Sequence, residues 1–347
     1  MKTNALAQSI STLTLSLLTA GLILLMLANP SEIVAASRAG LLLWFNQVLP
    51  SLLPFMIGVQ ILSALGFVRF IGTLLSPVME PLFGVPGEGC FALAAGMISG
   101  YPMGAKITSD LRQTGELSQT QAQRLLGFTN NSGPLFILGT IGVGVFQSEK
   151  AGYFLMFVHY ASAILTGLAF RFYGVRRGTS RAAPPVPRVN RLIPQALRSM
   201  NAARKKDGRA LGAILGASVL HSMETITLVG GFIIFFSILA QSLALFAPMP
   251  NPWLRGIVTG LLEMTNGISI LPNLTNFINL TNTPGGADRS LLLAAAGLIS
   301  FGGFSIHAQS VVFIHQTDLK VSLYLLGKIL QSGLSVLLAY SLYPLLW

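Results

Sequence analysis

The sequence predicts an all-α fold, a polytopic transmembrane helical bundle built from two structural repeats, each with a broken or re-entrant helix. Three observations predict it. Of 347 residues, 52% are hydrophobic and 10% charged, with a mean hydropathy of +0.68, more apolar surface than a water-soluble domain can hide. That excludes a soluble enzyme, and it is the opposite of the low-hydrophobicity, high-charge signature of disorder. The basic residues are concentrated in one segment between two long apolar tracts. Each tract carries short, glycine- or proline-interrupted apolar stretches, the sequence mark of discontinuous membrane helices.

Taken in order, residues 1–30 read as an N-terminal transmembrane helix. Gln8 to Ala28 is free of charge and long enough to cross a hydrocarbon core. Lys2, the apolar run and Ala35-Ala36 loosely fit a signal peptide, but the run is long for one and a retained helix is favoured. Residues 31–172 form the first repeat. Ser31 to Trp44 starts near the interface, and Pro50 and Pro54 punctuate the path into Phe55 to Leu75. From Phe91 to Lys106 the run is short, with Gly96, Gly100 and Gly104 at a four-residue spacing that permits close backbone approach. Tyr101-Pro102 interrupts it, because proline removes a donor and disfavours the α conformation before it. At membrane depth such a break survives only where protein or water satisfies the freed backbone. Thr108 to Arg124 is polar, with a capping box at Ser118 and Gln121. The chain re-enters apolar sequence through Thr129-Asn130-Asn131-Ser132-Gly133-Pro134, runs from Leu135 to Phe146, and crosses again from Ala151 to Phe170.

Residues 173–208 are the connector. Between Arg171 and Arg209 lie eleven of the 22 Lys and Arg residues against a single acid, Asp207, so the formal charge of +11 is almost wholly local. Ala-Pro-Pro-Val-Pro within it marks an extra-membrane segment, and the positive-inside rule places it in the cytoplasm. Nucleic acid is not expected as a partner, since no aromatic residue interleaves the arginines after Tyr173. Residues 209–347 form the second repeat. Ala210 to Phe246 holds two spans, or a long tilted helix and a partial one, broken near Gly230-Gly231. Gly256 to Leu271, a polar loop, Leu291 to Ile314 and a last span from Leu323 follow. Gly96 to Gly100 corresponds to Gly260 to Met264, and Asn131 to Phe136 corresponds to Phe301 to Ile306. Whether the halves run parallel or inverted stays open at this level.

The stretch Ser99-Gly100-Tyr101-Pro102-Met103-Gly104-Ala105-Lys106, with Asn130-Asn131-Ser132-Gly133-Pro134 and Gly142-Val143-Gly144, resembles the YlbJ/SpoVV-like family of sporulation integral membrane proteins, in the nucleoside-recognition Gate-domain group. Gly230-Gly231-Phe232 and Glu263-Met264-Thr265-Asn266-Gly267 look like its pattern too, so the likeness spans most of residues 38 to 343. It implies two Gate-type membrane repeats in a multi-pass protein of endospore-forming bacteria, in the outer forespore membrane, with dipicolinate transport as the expected role. It supplies no catalytic triad or metal site, and it leaves the arginine-rich connector unmatched.

Site residues therefore rest on chemistry. Dipicolinate is a flat pyridine with two carboxylates, and its site needs cation or amide donors beside an apolar slot. Half-helix N-termini supply oriented N–H groups. Lys106 is the candidate carboxylate partner, with a snorkelling interfacial lysine as its bland counterpart. Ser99, Tyr101, Asn130, Asn131 and Ser132 add donors, although the Asn-Asn-Ser run also reads as a helix cap. His307 and Gln309 hold the corresponding place in the second half. Glu224 and Glu263 are ionisable groups in apolar surroundings; with Thr265 and Asn266 they are candidates to bind a coupling proton or sodium ion, against a structural salt bridge from Glu263 to Lys328 or Lys106. His159 has no partner that the sequence names, and His315 reads as interfacial. No HExxH, GxxxxGK[ST] or GxSxG motif is present, so no catalytic residue, metal or cofactor is expected. The expected partners are the lipid bilayer and a small anionic substrate, with a homo-oligomer left open. A nucleoside carrier is the alternative within transport; a non-transporting scaffold whose connector binds anionic lipid is the alternative outside it.

Overall fold

A computed structural model describes residues 2–174, 189–271 and 289–346, and among these every regular element is helical. Five stretches are long and apolar enough to cross a bilayer: Pro30–Ala64, Glu149–Phe170, Leu211–Phe246, Arg289–Ile314 and Val321–Leu345. In the first half the helices are α1 (Lys2–Ala28), α2 (Pro30–Leu43), α3 (Leu49–Ala64), α4 (Phe67–Phe83), α5 (Gly89–Ser99), α6 (Met103–Gln113), α7 (Gln119–Thr129) and α8 (Glu149–Phe170). The second half has α9 (Val189–Asp207), α10 (Leu211–Phe246), α11 (Pro252–Leu262), α12 (Met264–Ile270), α13 (Arg289–Phe301), α14 (Gly303–Ile314) and α15 (Val321–Leu346). π-Helical stretches at Trp44–Val48 and Phe136–Val145 join α2 to α3 and carry the chain beyond α7.

The apolar composition is resolved by direction rather than by burial. Leu13, Leu17, Leu24 and Leu27 of α1 and Leu326, Ile329 and Leu337 of α15 are exposed, and in a bilayer such side chains meet lipid tails at no hydrophobic cost. Pro50 does not end a helix. The π turn ahead of it frees a backbone register that proline cannot use. The break expected at Gly230-Gly231 is absent: α10 is continuous. Gly230 instead makes room for the Trp44 indole, whose Nε1 donates to the Ile226 carbonyl at 2.9 Å. The connector is partly helical, since α9 packs along α4; residues 175–188 and the polar loop 272–288 lie outside the described residues.

Four chain breaks set up the site. Between α5 and α6 the chain turns back at Gly100-Tyr101-Pro102. A methyl built on Gly96 would sit 3.0 Å from the Gly104 Cα, although an uninterrupted helix would separate these residues by about 12 Å. The pair is thus a re-entrant hairpin. Helices α11 and α12 form a second one, turning at Glu263, with the Gly267 and Gly260 backbones in contact. The other two breaks lie in chains that pass straight on, at residues 130–133 beyond α7 and at Gly302 between α13 and α14.

The two hairpins enter from opposite faces. Arg112 at the end of α6 holds Asp318 in the α14–α15 turn at 2.8 Å, Gln123 of α7 exchanges hydrogen bonds with the Lys320 backbone, and Arg124 reaches the carbonyls of Gly84 and Tyr173. The open end of the first hairpin therefore lies on the connector face. Helix α10 starts at that face and ends at the other, where α11 begins. Arg289, at the start of α13, stacks on Tyr340 near the end of α15 on that same far side. The two broken crossings consequently run in opposite directions, α7 leaving the connector face and α13–α14 approaching it.

Candidate functional site

The four breaks surround one narrow cavity of about 50 Å³ that opens to the surface. Gly100 and Tyr101 come from the first hairpin tip, Ser132 and Gly133 from the first broken crossing, Glu263, Met264 and Thr265 from the second tip, and Ser305, Ile306 and Gln309 from the second crossing. Val48, Leu52, Phe136, Val229 and Ile233 supply the apolar wall. Close approach requires the glycines. Gly100 adopts φ +81° beside the Gly133 nitrogen, while Gly302 and Gly303 take φ +95° and +74°, Gly302 against the Tyr101 ring and Gly303 against the Gly260 carbonyl. A second, more polar cleft on the face away from the connector includes Asn46, Gln47, Thr140, Gln147, Asn266 and Ser269, and shares Thr265 with the cavity.

The freed backbone is satisfied by buried side chains, several of them from the other half, as burial demands. The Asn130 amide donates to the Ser310 hydroxyl at 2.8 Å and the Tyr324 hydroxyl at 2.9 Å, and its carbonyl accepts from Lys328 Nζ at 2.8 Å. Asn131 donates to the Phe128 carbonyl and accepts from Gln331. The Ser132 N–H donates to His159 Nε2 at 3.1 Å, which leaves Nδ1 as the protonated nitrogen facing the Ser300 hydroxyl at 2.9 Å. Tyr160 ties the carbonyls of Met97 and Ser132 together at 2.9 and 3.0 Å. Tyr101 donates across the interface to the Ile299 carbonyl at 3.0 Å. In the second hairpin, Glu263 caps α12, its Oε2 accepting from the Asn266 N–H at 2.7 Å, and the Asn266 side chain donates to Ser237. Glu263 is the one carboxylate among the cavity's lining residues.

The candidates from the sequence are thereby sorted by place. Tyr101, Ser132, Gln309, Glu263 and Thr265 line the cavity. Asn130, Asn131 and His307 lie just behind it, His307 pairing through Nδ1 with Tyr324 at 3.1 Å. Ser99 is buried at the hairpin tip and Asn266 faces the second cleft. Lys106 lies one helical turn from the tip and pairs with Asp110 at 3.0 Å, outside the cavity lining. Glu224 is exposed beside His221 at 3.3 Å. Neither Lys106 nor Lys328 is ion-paired with Glu263.

Sequence reasoning missed Ser300, Ser310, Tyr324 and Gln331, and it named Lys328 and His159 without their actual partners. Tyr324, Lys328 and Gln331 had a signal. Tyr324, Lys328, Gln331 and Ser335 fall at helical spacing in an apolar span, so they share one face, and all four are fully buried. His159 had none, because its partners are 27 and 141 residues away.

Comparison with known proteins points to an integral membrane protein. Residues 45–176 match the family model described as Gate, nucleoside recognition. Over 316 residues the chain is 37% identical to the sporulation integral membrane protein YlbJ of Bacillus subtilis (strain 168), covering 88% of this chain and 76% of that protein. No solved structure matches.

Proposed function

The chain belongs to the family of the sporulation integral membrane protein YlbJ, and from that premise we propose that it is a secondary carrier of a small planar anion, with dipicolinate as its substrate during endospore formation. The observation that carries the reading is the meeting of four chain breaks, two from each half, in one cavity. Breaks cost backbone hydrogen bonds and are kept where unwound backbone handles a ligand. Opposed hairpins and antiparallel crossings fit an inverted duplication around that cavity, an architecture that many alternating-access carriers share. The reading makes the protein a carrier and not an enzyme, in the cell membrane and specifically the outer forespore membrane, with residues 173–208 on the cytoplasmic side.

Glu263 supplies the coupling. A substrate carboxylate about 4 Å from an ionised Glu263 would be repelled by roughly 4 kcal/mol at an effective dielectric of 20. Taking a proton onto Glu263 removes that repulsion, and the Asn266 N–H cap fixes its position in either state. The substrate ring lies against Phe136 and Leu52, with donors from Ser132, Thr265 and Gln309. Purified protein in proteoliposomes tests this reading: radiolabelled dipicolinate enters saturably, and faster under an inward proton gradient. The absence of saturable dipicolinate uptake overturns it. A second reading, a nucleoside carrier, is favoured by the lack of any lysine or arginine in the cavity lining; uptake blocked by uridine and not by dipicolinate decides for it.

A further inference from the structure

Lys328 is a charged group that the carrier reading leaves unused. It lies about two turns into α15, fully buried. Its Nζ donates to the Gln331 side-chain oxygen at 2.6 Å, to the Asn130 carbonyl at 2.8 Å and to the Tyr101 hydroxyl at 3.3 Å. Tyr101 spends its own proton on the Ile299 carbonyl, so a lone pair faces the lysine, and the Tyr101 ring lies 5.1 Å from the nitrogen. Three oxygens therefore meet the three N–H bonds of an ammonium. Among the described residues Lys328 forms no ion pair. It is also absent from the cavity lining, with Tyr101 contacting both.

These partners are of one kind. Asn130 is the C-cap of α7, where the unpaired carbonyls of a helix end carry partial negative charge. A carbonyl of an unwound membrane helix, an amide oxygen and a hydroxyl are the donors that hold a sodium ion where transporter helices break. The charge here comes from α15, which is neither hairpin nor broken crossing. With its donors saturated, the ammonium has no free N–H for a substrate carboxylate.

We infer that Lys328 is a tethered cation filling an oxygen-lined monovalent-cation site between the first hairpin tip and the first broken crossing, so that this protein needs no sodium to assemble its substrate cavity. The inference deepens the carrier reading, since it assigns the coupling to Glu263 alone. Its test is kept independent of substrate.

Thermal unfolding is followed for detergent-purified protein in choline, sodium, potassium and methylammonium chloride at matched ionic strength. Wild type melts at one temperature in all four. Lys328→Ala, which leaves the oxygens and empties the space, melts lower in choline and regains about 3 °C or more with a saturating dose of sodium or methylammonium. Lys328→Gln, which retains bulk without charge, melts lower and is rescued by no cation. The inference is overturned by a wild type that sodium stabilises over choline, by a folded Lys328→Ala indifferent to every small cation, or by a Lys328→Gln as stable as wild type. Where Lys328→Ala yields no folded protein, the wild-type and Lys328→Gln measurements decide between these outcomes. Failure of dipicolinate uptake would leave this melting pattern untouched.

Discussion

Replacing Glu263 by glutamine separates its two duties. As a cap, the carboxylate accepts the Asn266 N–H at 2.7 Å, and the glutamine carbonyl can do the same. Losing the cap entirely, as in Glu263→Ala, costs about 1 kcal/mol; Glu263→Gln costs a few tenths. As a proton carrier, glutamine is fixed in the neutral state. Without the repulsion of about 4 kcal/mol worked above for an ionised neighbour, anion binding by the variant is as tight as in protonated wild type, and it is independent of pH. One pH unit across the membrane corresponds to about 1.4 kcal/mol, a tenfold concentration ratio for one proton per substrate. Proteoliposomes with a one-unit inward gradient, held at zero membrane potential because one proton leaves the dianion with a net negative charge, should thus accumulate dipicolinate about tenfold with wild type and only to equilibrium with Glu263→Gln, while tracer exchange persists in the variant. Glu263→Gln accumulating substrate tenfold under the same gradient would refute the assignment, as would loss of exchange from a well-folded protein.

Two further perturbations probe the hairpin and the connector-face clasp. A methyl on Gly104 would run into the Thr129 carbonyl and come within 2.7 Å of the Asn130 Cα, so Gly104→Ala should lose about 1–3 kcal/mol of stability, whereas Gly333→Ala, which meets open space, should melt at or above wild type in the same thermal-shift assay. The Arg112 guanidinium, bonded to both Asp318 oxygens at 2.8 Å, holds that carboxyl below its ordinary value of 3.8. A depressed value means that the clasp contributes fully above that pH and is lost only as acid titrates the carboxylate beneath it. Labelling of Ser132→Cys from the connector face, in a Cys90→Ala background, should therefore rise in Asp318→Asn, and the ratio between the two proteins, which cancels the pH dependence of the thiolate, should be the same at pH 8 and pH 6.

Element order was legible because proline, glycine and charge are local signals. The capping box at Ser118 forms as its spacing implies, with Ser118 and Gln121 bonding each other's backbone. Tyr101-Pro102 does interrupt its helix. Gly230-Gly231 misled because glycine serves two ends: it can terminate a helix, or it can admit a large neighbour, and only the presence of Trp44 across the interface distinguishes them. In the site, the residues at breaks were readable, since breaks are written in the local sequence. The residues that satisfy those breaks were not. They sit on α8, α13, α14 and α15, and their meaning depends on a fold that brings positions 130 and 328, or 159 and 300, together. Lys106 drew attention for its charge beside a broken segment, but Asp110, one turn along the same helix, answers that charge locally.

That division between breaks and their partners makes the two halves mutually dependent. Asn130 in the first half is held by Ser310, Tyr324 and Lys328 of the second, His159 by Ser300, and Tyr101 by the Ile299 carbonyl. Without the second half, the carbonyl and amide of Asn130 would face hydrocarbon, at several kcal/mol for each unsatisfied group. Among the described residues the basic connector adds no side chain to the cavity lining. Cutting the chain between residues 178 and 186 should therefore leave function intact when both pieces are co-expressed, since the interface supplies the complementarity. Either piece alone should be degraded or aggregate. Size-exclusion profiles and uptake of the co-purified pieces measure this directly, and a single half that runs as a monodisperse, cooperatively melting protein would show that the breaks are satisfied within each half and that the shared network is incidental.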